Sequence, residues 1–402
     1  MAGTGTGRTP VGSDRRAAPH ARRPGRALSR VASITARGIG LGVGLGAVTL
    51  AYSLLEARWY VLRRIQVPVL APGEEPIRLL HLSDLHLTDH TEARVAWVRS
   101  LADTRPDVVV NTGDNLSFAS GVEPLERALE PFLNLPGAFV MGDHDYFTTV
   151  FRPPTRYLRR DPRTADSPEK QAEIQELPWQ EVHDIQARGG WVDLTNTRGS
   201  LTVRGRRIDL VGVDDPHAKR DVFPASGRGR HRADAAPGAG GGAGAARTTT
   251  GAHRGPAVAV GLPAVQDARR QDLRLGLTHA PYTRVLDTMA ADGVSLVLAG
   301  HTHGGQICLP GVGALVTNCD LDRRRASGLS TWPGDALRGV HGDRALLGPL
   351  PQPGLFLHVS AGLGTSPFSP VRLACRPEAT LLTLVPAQEP GEGQEKTRTS
   401  QE

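Results

Sequence analysis

Five short apolar runs along this chain, residues 77–82, 108–110, 138–141, 273–277 and 294–299, have the length and content of buried strands. Each leads into a polar word: Asp84-Leu85-His86, Gly113-Asp114-Asn115, Gly142-Asp143-His144-Asp145, Thr278-His279-Ala280 and Gly300-His301-Thr302-His303. Between the first two runs, residues 91–103 place Val95, Val98 and Leu101 at helical spacing, which predicts a strand–helix–strand unit. Further helices are expected over 123–133 and 282–290. Residues 201–203 and 208–213 read as strands paired around Gly205, and 355–360 and 380–385 as closing strands. The pattern is that of an α/β domain over residues 77–386.

Other stretches do not fit it. Residues 38–55 carry no charge, and at about 1.5 Å per residue they approach a ~30 Å hydrocarbon core. With arginines before it and Glu56 after it, this segment reads as a transmembrane helix that leaves the N-terminus in the cytoplasm and the remainder outside the cell membrane. A cleaved signal peptide, giving a secreted protein, is the competing reading. Gly38, Gly40 and Gly42 do not make a dinucleotide fingerprint, because no strand precedes them and the third glycine is missing. Residues 1–37 read as a disordered basic arm, 56–76 as a linker in which 61–70 reads as a juxtamembrane strand or as linker, and 387–402 as a disordered tail.

The formal net charge is +6, yet eight arginines and a single acid, Asp14, precede residue 38. The arm thus holds the whole excess, which argues against a nucleic-acid groove in the folded part. Residues 224–257 contain no Val, Ile, Leu, Met, Phe, Trp or Tyr, and no core can be built from them. They read as a low-complexity insertion, or as a local reading-frame error in a GC-rich gene. Residues 152–179 are polar and proline-containing, as expected of a surface excursion that shapes substrate entry. Cys308, Cys319 and Cys375 make no CxxC motif and no even framework; they read as buried thiols, with one unassigned pair able to oxidise outside the cell.

Carboxylates mixed with imidazoles suit Mn, Fe or Zn, and ligands from several strand ends can hold two ions ~3.5–4 Å apart. No Ser-His-Asp or Cys-His set competes. Taken in order, the five words resemble the calcineurin-like metallophosphoesterase superfamily, with a match from about Leu79 to Gln306. Gly304-Gly305-Gln306 and Ala361-Gly362-Leu363-Gly364 look like its membrane-anchored bacterial branch. The resemblance implies a sandwich of two mixed β-sheets flanked by helices. It also implies a binuclear centre of two divalent or trivalent ions (Mn, Fe or Zn): Asp84, His86 and His303 on the first, Asp143, His279 and His301 on the second, and Asp114 bridging. His144 would assist from outside the ligand set as proton or hydrogen-bond donor, with Asp145 fixing its tautomer. The implied activity is hydrolysis of a phosphomonoester, phosphodiester or pyrophosphate by a metal-bridging hydroxide. An anchor would favour a lipid or nucleotide-lipid substrate.

One position departs from the family, which usually has Asn where this chain has Asp143. A carboxylate there adds negative charge, holding a cation more tightly while repelling phosphate. A membrane-tethered binding or scaffold protein with a degraded site is the alternative this departure raises. Asp214-Asp215-Pro216-His217 reads as an Asp-Pro turn or as a substrate contact. Asp320 and Asp322, before Arg323, Arg324 and Arg325, read as a solvated loop, and His81 as structural because strand alternation turns it away from Asp84.

Overall fold

The computed structural model describes residues 3, 5, 25–151, 172–225, 273–334 and 354–387, with side chains from residue 40 onward. It divides into two compact units, Met1–Ala51 and Tyr52–Glu402. Helix α1 (Gly25–Glu56) accounts for the described part of the first. It reaches back into the segment expected as a disordered arm, where Ala, Arg and Leu are good helix formers. The expected span over 38–55 lies inside α1. Among the described residues, however, no helix is long and apolar enough to cross a membrane.

The second unit contains strands β1 (Val61–Leu70), β2 (Ile77–Leu82), β3 (Val108–Asn111), β4 (Gly137–Phe139), β5 (Val192–Asp193), β6 (Arg198–Val203) and β7 (Arg206–Gly212). They are followed by β8 (Arg274–Leu277), β9 (Leu296–Ala299), β10 (Cys308–Leu309), β11 (Gly313–Ala314), β12 (Gly328–Trp332), β13 (Leu355–Val359) and β14 (Glu378–Pro386). Two six-stranded mixed sheets result, in the orders β1-β14-β2-β3-β4-β5 and β12-β13-β9-β8-β7-β6. Their inner faces share one core, in which Leu79, Val108, Val110 and Leu382 meet Leu275, Leu277, Leu296, Leu298 and Phe356. The outer face of the first sheet is covered by α2 (Glu92–Ser100), α3 (Val122–Leu129) and, beyond the one-turn α4 (Asp143–Tyr146), α5 (Trp179–Arg188). Helix α6 (Thr283–Ala291) covers the second sheet. The expected sandwich of mixed sheets and helices is therefore present. Strands buried on both faces, such as β3 and β9, are the continuous apolar runs of the sequence.

Of the two readings of 61–70 within the 56–76 segment, the strand is the one found. Residues 61–70 form β1, parallel to β14 along its length, with Ile65, Val67 and Leu70 buried. As an edge strand it tolerates Pro68, which cannot donate to the ladder. Most of the 152–179 excursion and nearly all of the 224–257 insertion lie outside the described residues, as does the tail beyond 387.

β2, β3, β4, β8 and β9 are mutually parallel within each sheet, so their C-terminal ends, and the five polar words after them, lie along one edge of each sheet. The turns are tight. Gly113 has φ +89°, and a Cβ there would fall on the backbone nitrogen of Gly142. Gly113→Ala is expected to destabilise the fold by about 2 kcal/mol or more, read as a lower urea midpoint at unchanged slope.

Below these turns His81 and His358 bridge the sheets, Nδ1 to Nδ1 at 3.0 Å, with His81 Nε2 2.9 Å from Thr112 Oγ1. His81 thus does not touch the ligand cluster directly, as alternation predicted. Burial lowers His358 to about 3 from an ordinary 6.5. Between those values the unfolded chain binds a proton that the fold refuses, so stability falls as pH drops through that window. His358→Gln should flatten the dependence of unfolding free energy on pH there by up to about 1.4 kcal/mol per pH unit, measured by urea titration from pH 6.5 to 4.

Candidate metal centre

Three carboxylates and four imidazoles converge above the strand ends. Asp84, His86, Asp114 and His303 offer ligand atoms within 4.8 Å of one another, and so do Asp143, His279 and His301. Asp114 joins the two groups through one oxygen: its Oδ2 lies 3.5 Å from His86 Nε2 and 3.3 Å from His279 Nε2. Its Oδ1 accepts the backbone N–H of His144 at 2.9 Å. His303 Nε2 is 3.4 Å from Asp84 Oδ1 and 3.1 Å from His86 Nε2. These are the residues the sequence assigned to two ions; Asp114 and Asp143 also form a third such group with His144, which the sequence had placed outside the ligand set.

The imidazole tautomers suit cations. His279 Nδ1 donates to the Thr112 carbonyl at 2.7 Å, so in its neutral ring Nε2 carries the lone pair, while His303 Nδ1 lies 3.2 Å from the Gly364 carbonyl and 3.4 Å from Arg372 Nη2. His301 is reversed, with Nε2 donating to the Asn318 carbonyl at 3.3 Å and Nδ1 left as the ligand atom. Buried His279 Nε2 has no hydrogen-bond partner although a carboxylate oxygen stands 3.3 Å away. A buried lone pair facing an anion calls for a cation between them. Burial, then Arg372, lowers His303 to about 3, and burial holds His86 and His301 well below the usual range, keeping them neutral. Burial opposes the charged ring of His279, but Asp114, joined by Asp84 and Asp215, holds it well above its usual range, so in the absence of a metal a proton occupies that place. Residues and tautomers fit a binuclear centre of hard-to-borderline ions.

The backbone presents these groups at a cost. Asp84, His86, Asp114, His301 and His303 all have positive φ, between 42° and 68°. Left-handed backbone costs about 1 kcal/mol or more per non-glycine residue, though Asp and His tolerate it better than most. Hydrogen bonds hold the turns in place. Asp84 accepts from Ser83 Oγ at 2.5 Å and from the His301 backbone at 3.0 Å. Burial, opposed by His279 and reinforced by Asp114, raises it to about 6.

Asp145 does not do what the sequence suggested. Its carboxylate accepts backbone N–H groups of Asp114, Asn115 and Gly142 at 2.8–2.9 Å, tying the second polar word to the third. His144 instead places Nδ1 3.2 Å from the Phe147 carbonyl, and its ring lies 5.3 Å from that of His86. A local carbonyl was the nearer partner for the ring, whereas Asp145 faces unpaired donors of the neighbouring turn.

Sequence reasoning missed several contributors. Buried Arg94 donates to the carbonyls of Leu85 and His86, and buried Arg372 to those of His303, Ala361, Gly362 and Gly364. Arg94 left one signal, standing four residues before buried Val98 on the covered face of α2; Arg372 left none. His217 packs its ring 4.4 Å from His301, with Nδ1 3.1 Å from Tyr282 Oη. The Asp-Pro turn is also real, since Asp215 accepts from the backbone of His217 and Ala218. Asp320 accepts from Thr283 N and Oγ1 at the start of α6, and Asp322 pairs with Arg324.

Residues 77–305 match the sequence profile of the calcineurin-like phosphoesterases. The chain is 21% identical over 315 residues to the "Uncharacterized metallophosphoesterase YkoQ" of Bacillus subtilis, covering 77% of this chain and 84% of that one. It is 32% identical over 112 residues to "Phosphodiesterase YaeI" of Escherichia coli, or 28% of this chain and 32% of the relative. A bovine "Transmembrane protein with metallophosphoesterase domain" is 26% identical over 266 residues, 63% of this chain and 47% of that one. With the family's polar words folded into one cluster of cation-seeking side chains, the chain belongs to the calcineurin-like phosphoesterase family and is a metal-dependent phosphoesterase.

Proposed function

We propose that Asp84, His86 and His303 hold one ion and Asp143, His279 and His301 a second, with Asp114 shared, and that the substrate is a phosphodiester. The position of Asp114 Oδ2 between imidazoles of both groups is the observation that carries this reading. When bound, the ions supply an activated water and offset charge on the phosphoryl oxygens. Beside them, His144, oriented through its contact with the Phe147 carbonyl, gives a proton or hydrogen bond to the departing oxygen. Three converging carboxylates against two divalent ions leave a single positive charge. That balance suits a monoanionic diester better than a dianionic monoester.

A membrane-associated substrate is the second part of the proposal. Leu41, Val43, Leu45, Val48, Leu50 and Leu55 are exposed along α1, and apolar side chains in that number call for a cover. The arginine-rich arm before them supports an orientation with the catalytic unit outside the cell membrane. Full-length chain should co-sediment with phospholipid vesicles at high salt, while a chain starting at Tyr52 should not; equal sedimentation would remove the anchor.

The Mn-loaded full-length chain should hydrolyse bis-p-nitrophenyl phosphate with higher kcat/KM than p-nitrophenyl phosphate. A folded, metal-replete chain inactive on both and on lipid pyrophosphates would favour the scaffold alternative. Asp143→Asn should shift the diester-to-monoester ratio of kcat/KM towards the monoester by about tenfold and loosen metal retention. If ratio and metal content are both unchanged, Asp143 is not a ligand. His144→Ala should lower kcat by about 10²–10⁴ with metal content intact; loss of metal instead would make His144 a ligand.

A further inference from the structure

Behind His303 the chain brings two of its three thiols together. The segment after the His303 turn runs beside the segment before β14: Ile307 bridges Leu373, and Cys308 N donates to the Leu373 carbonyl at 2.8 Å. Cys308 Sγ lies 3.3 Å from the Gly304 carbonyl and Cys375 Sγ 3.4 Å from the same oxygen, so the two thiols share one acceptor. Cys375 Sγ also donates to the His303 carbonyl at 3.3 Å. Cys319 is elsewhere, packed against the outer core of the second sheet.

Both cysteines line a cavity of about 440 Å³, together with the β10–β11 hairpin and four arginines. Arg63 and Arg324 are paired with Glu378 and Asp322. Arg323 and Arg376 are tied to backbone carbonyls, Arg323 to Leu315 and Arg376 to Trp59 and Tyr60. Guanidinium groups around a thiol pair attract an anionic reagent.

We propose that Cys308 and Cys375 are a thiol–disulfide exchange site for a small anionic disulfide, and that the resulting cross-link pins the turn carrying His303. Cys308, the more exposed of the two thiols, loses its proton, attacks one sulfur of the reagent and expels its first half as thiolate. Cys375 thiolate then attacks the Cys308 sulfur of the mixed disulfide and expels the second half. Two protein thiols are oxidised, the reagent is reduced to two thiols, and the two protons leave with them. An extracytoplasmic location would keep the bond oxidised. The cross-link does not depend on the metal assignment; its effect on the ion does, because that rests on His303 being a ligand.

The test treats full-length protein with oxidised glutathione, blocks remaining thiols with iodoacetamide and maps the peptides by mass. Two of the three thiols should be lost, in a single 308–375 linked peptide, with Cys319 alkylated. Because Cys375 is buried, the control is Cys308→Ser, which should abolish the link. Persistent alkylation of both residues, or a link to Cys319, overturns the exchange site. Manganese release into a chelator is then followed for both redox forms. Release about tenfold slower from the oxidised chain is expected, with no redox dependence in Cys308→Ser. Equal release with the link formed overturns the coupling to His303 while leaving the cross-link standing.

Discussion

Everything at this site answers to one constraint, the concentration of anions and lone pairs in a buried place. Asp84 and Asp114 are buried and converge on the lone pairs of neutral imidazoles. Such an arrangement repels itself unless something positive sits within it. Burial and Asp114 raise Asp84 to about 6, and His279 takes a proton when no ion is there. The surrounding fold exists to hold that arrangement until cations arrive. Its rigid means are parallel strands that stop at one level and a core shared between two sheets.

The turns are fixed largely by groups outside the cluster itself. Asp145 gathers three backbone donors, which leaves Asp114 oriented towards both imidazole groups. Arg94 and Arg372 do the converse, bringing buried positive charge to the carbonyls of the His86 and His303 turns. Among the described residues no carboxylate forms an ion pair with either arginine, so carbonyl dipoles compensate the desolvated charge. That network can sustain positive φ at five of the seven proposed ligands, a strain no single turn would hold.

What was legible in the sequence was local. A buried strand followed by Asp or His is a word of a few residues, so the ligands and the strand ends could be read together. The partners of those ligands could not. Arg372 is 69 positions from His303, and Asp145 lies beside the histidine it was expected to orient yet turns towards another strand's loop. β1 stayed undecided between strand and linker because Pro68 and two arginines suit an edge strand as well as a linker. His217 was weighed as a turn residue and is one, but the turn also stacks its ring on His301. A single position can serve both needs, and spacing alone does not separate them.

The departure at Asp143 is placed where the fold can bear it. Among the carboxylates of the cluster, Asp84 and Asp114 have side chains 0% and 3% exposed, whereas Asp143 is 23% exposed. A further negative charge at either buried position would carry a full desolvation penalty and repel its neighbour through a medium of low polarity. At position 143, the first residue of a helical turn, solvent screens part of that charge. A carboxylate in place of an amide there costs the scaffold less than one at either buried position would, and on the proposed assignment its effect falls on the charge that a substrate would meet.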